Sequence, residues 1–301
     1  MKPTAALADV KFKNVLYLTD FSEPSEAAFP FAAAVARGYG AKVYAFNVLI
    51  PAPYVYTTPD LTELAIEAEE EVALSEMKKV ESQLAGLPHE TAVERGAGVW
   101  EPVERAIREH GIDLIVLGTH GRTGAQKFLL GSVAEEIFRR SPVPVLTIGP
   151  GVLSGSHNAA RFHRVLFATD FAPEAAAAIP YAISLALKGN ARLILLHVVR
   201  KIGARNEREA GSVEISVAEA IHQLYEIPPK DAGLNSPPEV AVEFGEPANR
   251  IVEASKERGA DIIVLGVRDA AGRLGAATHL ERSTAHKVVA HASCPVLTVR
   301  G

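Results

Sequence analysis

Apolar residues in this chain come in short unbroken runs, such as "KVYAFNVL" and "IDLIVLG", separated by longer stretches where they recur every three or four positions. Short Val/Ile/Leu runs without alternation predict strands buried on both faces, and the stretches between them predict amphipathic helices. Strands are expected at 13–19, 42–49, 90–95, 112–118 and 143–148, with helices at 23–38, 62–85, 100–110 and 132–141. The pattern then restarts, with strands at 163–169, 191–198, 239–244, 261–266 and 295–299. Pro228, Pro229, Pro237 and Pro238 interrupt the second helical stretch of that half. Strands alternating with helices predict βαβ units and parallel sheets, an α/β fold. "AAAAIPYAISLAL", from Ala175, is too short to cross a bilayer and holds Pro180, so it reads as a buried Ala-rich helix. Glu69, Glu70 and Glu71 read as a solvated helix face.

The restart is a repeat at residue level. "VLYLTDFSEPSEAAFPFAAAVA", from Val15, matches "VLFATDFAPEAAAAIPYAISLA", from Val165, placing Asp20 over Asp170 and Pro30 over Pro180. "IDLIVLG" matches "ADIIVLG", and "PVLTI" matches "PVLTV". At 301 residues, two domains are the natural division. They are expected at 1–149 and 162–301, joined by a Gly/Ser-rich linker at 150–161.

Composition narrows the function classes. A net charge of −5 and no obvious basic patch argue against nucleic-acid or membrane partners. A single cysteine, Cys294, excludes an intramolecular disulfide and a cysteine zinc cluster, and reads as a small packed residue in a reducing cytoplasm. "MKPTAALADVKFK" has no apolar core of signal-peptide length. His279, His286 and His291 lack acidic or cysteine ligands at metal spacing, so no metal is expected.

The distinctive chemistry is "LGTHGRTGAQKFLLGS", from Leu117, where a buried strand runs into a glycine-rich arch and then a helix. A helix entrance offers unpaired N–H groups and a positive dipole end, and a phosphate reaches them only across bare backbone. Gly118, Gly121 and Gly131 have the spacing of such a cradle, followed by Ser132. Ser132 and Glu135 also have the spacing of a capping box, which would merely close the helix end. The stretch is neither a Walker loop nor a GxGxxG fingerprint.

"LYLTDFSE", "FNVL", the pattern Gly118-x2-Gly121-x9-Gly131-Ser132 and "PVPVLTI" together resemble the universal stress protein family, in its tandem two-domain form. The resemblance implies two doubly wound domains, each a five-stranded parallel sheet in the order 3-2-1-4-5 flanked by helices. It implies ATP, with any Mg2+ carried by the phosphates, bound in the first domain. Asp20 would lie beside the adenosine, Val48 would hold adenine through its backbone, and Gly118, Gly121, Gly131 and Ser132 would meet ribose and phosphates. That placement agrees with the rule that ligands bind where strand order reverses. Thr19 reads mainly as structural, and Asp20 also fits a plain helix-start role; His120, Arg122 and Lys127 on the arch fit either charge offered to phosphates or a solvated loop. Single-domain relatives pair through their fifth strands, which implies pairing of the two domains here. Further assembly to a homodimer and an unidentified protein partner stay open.

The second copy keeps Asp170, Val198 and Gly266, but has Arg282 in place of Gly131, Ser283 in place of Ser132, and Asp269 where Gly121 would fall. An arginine side chain would obstruct backbone approach and a carboxylate would repel phosphate. One ATP per chain is therefore expected, with the second domain a structural partner; Arg273 and Arg282 leave a different anion open. The leading reading is a cytoplasmic ATP-binding stress or signalling protein. The alternatives are a slow ATPase or phosphotransferase in the same pocket, with only Asp20 and His120 to act as base, and a scaffold without nucleotide.

Overall fold

The computed structural model describes residues 10–50, 59–119, 130–152, 162–200, 207–229, 231–268 and 283–301. It divides into two compact units, Phe12–Ile148 and Gly149–Gly301, with Val10 and Lys11 belonging to the second. In the first unit the strands are β1 (Asn14–Leu18), β2 (Lys42–Leu49), β3 (His89–Arg95), β4 (Leu114–Gly118) and β5 (Val145–Ile148). They form a parallel sheet ordered β3-β2-β1-β4-β5. The unbroken apolar runs are the central strands: Val15, Leu16, Ile115 and Val116 are fully buried, as a sheet covered on both faces requires. β3, at the edge, is only half buried.

The helices are α1 (Glu23–Glu26), α2 (Phe29–Tyr39), α3 (Pro59–Gln83), α4 (Trp100–His110) and α5 (Ser132–Arg140). The single helix expected over 23–38 is interrupted at Ala27 and Ala28, because Pro30 supplies no N–H and sits in the first turn of a new helix. Both alanines keep right-handed backbone angles. Glu69, Glu70 and Glu71 lie on α3, where Glu70 pairs with Arg95. Trp100 is buried at the start of α4, with the Arg140 guanidinium 4.9 Å from its ring.

The second unit repeats the plan with β6 (Arg164–Thr169), β7 (Arg192–Val199), β8 (Glu239–Phe244), β9 (Ile262–Val267) and β10 (Val296–Arg300), ordered β8-β7-β6-β9-β10. Its helices are α6 (Pro173–Gly189), α7 (Glu207–Glu226), α8 (Pro247–Glu257) and α9 (Thr284–His291). The interrupting prolines fall beyond the end of α7. α6 is the Ala-rich helix; it carries Pro180 internally and buries Ala175, Ala178, Ala182 and Leu185. Among the described residues no helix is long and apolar enough to cross a membrane, and no group of three or more His, Cys, Asp or Glu side chains has metal-site geometry.

One device fastens each unit. Asp113 accepts hydrogen bonds from the backbone of Lys13 (2.7 Å) and Asn14 (3.2 Å), tying the start of β4 to that of β1. Asp261 does the same for His163 (2.7 Å) and Arg164 (2.9 Å).

Candidate functional site

β1 ends at Leu18, and the next residues build a tight turn. Phe21 adopts a left-handed conformation (φ 60°), unusual for a residue with a side chain, and so does its twin Phe171 (φ 62°). The Thr19 hydroxyl accepts from the Phe21 N–H at 3.0 Å, and the Thr169 hydroxyl from Phe171 at 2.9 Å, which holds the turn in this conformation. Asp20 Oδ1 accepts from Ser22 N (3.1 Å) and Ser22 Oγ (2.5 Å), and Asp170 Oδ1 from Ala172 N (3.0 Å). The helix-start role weighed for Asp20 is therefore present in both copies, alongside its place on the crevice wall. Thr19 is buried and also bonds Ser25 Oγ at 3.0 Å. The Tyr17 hydroxyl donates to the Ser25 carbonyl at 2.9 Å, and burial pushes the pKa of this phenol up to about 12.

On the far side, pairing of β1 with β2 stops at Leu18 and Phe46, closed by Thr19 N donating to the Phe46 carbonyl at 2.9 Å. Alternate residues of a strand aim their N–H and C=O at opposite neighbours. Phe46 faces β1, and the Leu49 carbonyl accepts from Gly96, on the β3 side. Val48 therefore directs its main-chain donor and acceptor to the β1 side, past the end of β1. Asn47 is buried and donates through Nδ2 to the Thr19 carbonyl at 2.8 Å. His197 takes that place in the second unit, its Nδ1 2.8 Å from the Thr169 carbonyl.

Gly118 ends β4. A Cβ there would lie 2.4 Å from the Pro24 carbonyl oxygen, so this glycine is required by the packing of α1 against the strand end. Gly266 meets the Glu174 carbonyl at 2.2 Å in the same way. Thr119 N donates to the Ile148 carbonyl (3.0 Å) and Gly131 N to the Thr119 carbonyl (2.6 Å), so the arch leaves and returns at one point. Gly131, not Ser132, is the N-cap of α5: its backbone is extended (φ −63°, ψ 152°), and among the described residues no side-chain hydrogen bond caps the helix. Ser132 lies one residue inside, so the capping box suggested by Ser132 and Glu135 does not form. Instead Glu135 N donates to the Gly131 carbonyl at 2.8 Å.

These pieces enclose a cavity of about 290 Å³. Thr19, Asp20, Val48, Gly118, Gly131 and Ser132 all line it. Gly121, His120, Arg122 and Lys127 lie outside the described residues. Ser25, Phe46, Ile50, Val99 and Val133 also line it and were missed from sequence. The alternation of Phe46, Val48 and Ile50 at one strand end is the signal that would have found two of them, on either side of Val48.

The second unit has a crevice of about 370 Å³ at the matching strand ends, lined among others by Thr169, Asp170, Val198 and Gly266. Its helix entrance differs. Ser283 is the N-cap of α9 and its hydroxyl accepts from His286 N at 3.2 Å. Asp269, Arg273, His279 and Arg282 lie outside the described residues.

The sequence pattern of the universal stress protein family matches residues 11–149 and again 161–300. The chain belongs to that family, as a tandem of two of its domains. A universal stress protein of Methanocaldococcus jannaschii is 34% identical over 142 residues, covering 46% of this chain and 82% of that protein. The crystal structure of a universal stress protein from Archaeoglobus fulgidus covers 98% of both chains with a TM-score of 0.67 at 24% identity, and shares the fold. A functionally unknown Pseudomonas aeruginosa protein covers 98% of this chain and 95% of its own, with a TM-score of 0.65 at 17% identity.

Proposed function

We propose that this tandem universal stress protein binds one ATP per chain in the crevice of its first domain, as a regulatory ligand. The domains so assigned run over 1–149 and 162–301. The observation that carries the reading is the start of α5, an anion-favouring helix entrance whose N-cap, Gly131, has no side chain to close it, bordering a cavity of about 290 Å³. In the same cavity, the apolar side chains of Phe46, Val99 and Leu117 suit the flat face of a purine, and the main-chain N–H and C=O of Val48 suit its hydrogen-bonding edge. Phosphates of the same molecule would meet the N–H groups of the first turn of α5, with Ser132 adding a hydroxyl and Mg2+ travelling on the phosphates. Asp20 bears on the choice between binding and hydrolysis. Its Oδ1 holds the turn through Ser22, which favours a wall residue over a base positioned to activate water. A regulatory role would pass through the arch from Thr119 to Leu130 to a protein partner in the cytoplasm.

The test is calorimetric titration of the full chain with ATP, ADP and AMP. One ATP site per chain is expected, with affinity falling as phosphates are removed. Gly131 has backbone angles open to any residue, so Gly131→Arg is expected to abolish ATP binding while leaving the circular dichroism spectrum unchanged. Retained affinity in a folded Gly131→Arg protein would overturn the reading. Rapid phosphate release abolished by Asp20→Ala would replace it with an enzyme.

A further inference from the structure

We propose that the outward face of the first half of α3 is a docking surface for a basic amphipathic helix of a partner protein. None of its residues lines the crevice of the first domain, so the inference stands apart from the ATP reading.

α3 packs on β2 and β3. From Ala73 onward it has the stripe expected of a surface helix, burying Ala73, Met77 and Val80 at spacings of four and three. From Glu63 to Val72 no side chain is buried, although that stretch reads "ELAIEAEEEV". Leu64 is 63% exposed and Val72 59%. With Ala68, also exposed, they recur every four residues and form one stripe, about 12 Å long at the rise of an α-helix. At about 100° per residue, this stripe lies on the side of α3 away from Ala73, Met77 and Val80. Exposed aliphatic residues scattered singly are ordinary, but two in helical register on a segment that buries nothing are the mark of a contact surface.

Charge selects the occupant. Over Pro59–Gln83 the sequence carries eight acidic and two basic residues, net −6 against −5 for the whole chain, so everything outside this helix sums to +1. Glu67 and Glu71 run along one flank of the stripe and Glu69 along the other. All three are exposed, and among the described residues the ion pairs of α3 are made by Glu70 and Glu76 instead. Glu63, Glu67 and Glu71 stand four residues apart and repel one another along the helix, with no buried stripe beneath them to hold that half. Lysine or arginine from a partner relieves this repulsion. A second copy of this chain does not, because two-fold pairing of the face sets the row of Glu67 and Glu71 against its own like. Nucleic acid and anionic lipid are repelled for the same reason. A helix with aliphatic residues on one face and basic residues beside them meets the stripe and its flanks together.

The probe is a fluorescein-labelled synthetic peptide of about 18 residues, with leucines at helical spacing on one face and Lys or Arg beside them, titrated with the full chain by fluorescence anisotropy. A scrambled peptide of the same composition and a version with Glu in place of Lys and Arg run alongside, and both should bind at least about tenfold more weakly. Leu64→Gln/Val72→Gln is expected to weaken binding of the probe at least about tenfold. Both positions are exposed and glutamine is a good helix former, so the circular dichroism spectrum and the Trp100 urea midpoint should not move. Glu67→Gln/Glu71→Gln is expected to weaken binding and to lower the salt dependence of what remains. Glu104→Gln/Glu109→Gln removes the same charge from exposed positions of α4 and should change nothing. Equal binding of the scrambled peptide, or an equal loss in the α4 variant, would reduce the surface to unspecific charge and overturn the inference. So would the lack of any binding by about 100 μM, or binding untouched by Leu64→Gln/Val72→Gln. A dimer of the chain in sedimentation, dissociated by that same variant, would overturn it in favour of a second copy as the occupant.

Discussion

Gly118→Ala separates two reasons for a bare residue at the end of β4. The glycine cradle gives it a ligand-facing role; the fold gives it a packing role, because the added methyl would lie 2.4 Å from the Pro24 carbonyl oxygen, 2.8 Å from its carbon and 3.1 Å from Ser25 N. All three are main-chain atoms, so no side chain can rotate away. Relief requires α1 to retreat by about 1 Å to reach ordinary contact distance. That movement pulls on the Thr19–Ser25 and Tyr17–Ser25 hydrogen bonds, both buried. Overpacking of this kind costs about 2–3 kcal/mol. With a urea dependence of about 2 kcal/mol per molar, the midpoint should fall by about 1 M. Trp100, the chain's one tryptophan, is buried in the first unit, so its fluorescence follows that unit through a urea titration. Gly131→Ala is the comparator: at φ −63° alanine is unstrained, and the shift should stay within about 0.5 kcal/mol. A Gly118→Ala midpoint indistinguishable from wild type would refute the close approach of α1 and return Gly118 to the cradle alone.

Asn47→Ala should destabilise the first unit by about 1–2 kcal/mol in the same fluorescence titration, since the Thr19 carbonyl loses its buried donor. Asn47→His should recover most of that loss, because His197 serves Thr169 in the second unit. Burial pushes the Cys294 thiol up to about 12, so it should resist a thiol reagent at pH 8 in the native protein and react in full once unfolded; rapid native labelling would contradict its placement. Glu243 is opposed by its own burial but held below the usual carboxylate range by Arg250 (2.7 Å) and Arg258 (2.8 Å). A folded pKa below the unfolded value gives stability that is present above about pH 4.3 and lost as pH falls through the folded value. Glu243→Gln should flatten that acid limb for the second unit, read by calorimetry between pH 3 and 6, by about 1–2 kcal/mol.

What could be read from sequence follows from which atoms carry the signal. Buried parallel strands are continuous apolar runs, so β1, β2 and β4 and their repeats β6, β7 and β9 were legible to within a residue or two, and the repeat itself doubled the reading. The break between α1 and α2 was not, because Pro30 and Pro180 read alike, yet one begins a helix and the other lies inside one. Ser132 was legible as a helix-start residue, but the one-residue difference between cap and first helical position depends on backbone angles. Gly118 was visible as a glycine, while the reason for it lies in the Pro24 carbonyl, far away in sequence. Ser25 left no trace, since its partners Thr19 and Tyr17 meet it only after the turn has formed.

The two helix entrances show how a duplicated fold can diverge at little expense to stability. A glycine cap costs a helix only about a few tenths of a kcal/mol relative to a serine cap, and leaves N–H groups without a side-chain partner from the cap. Gly131 and Ser283 are the caps of α5 and α9 but not equivalent positions: in the repeat Ser283 falls over Ser132 and Arg282 over Gly131, so α9 begins one residue later than α5. The features that would be costly to change are shared: the left-handed turn at Phe21 and Phe171, the aspartate that follows each first strand, and the glycines packed under α1 and α6. Ligand binding would in turn stabilise the domain whose entrance is open, by an amount that grows with the logarithm of nucleotide concentration over its dissociation constant. On the single site proposed, ATP should raise the unfolding transition of the first unit and leave that of the second in place, read by calorimetry.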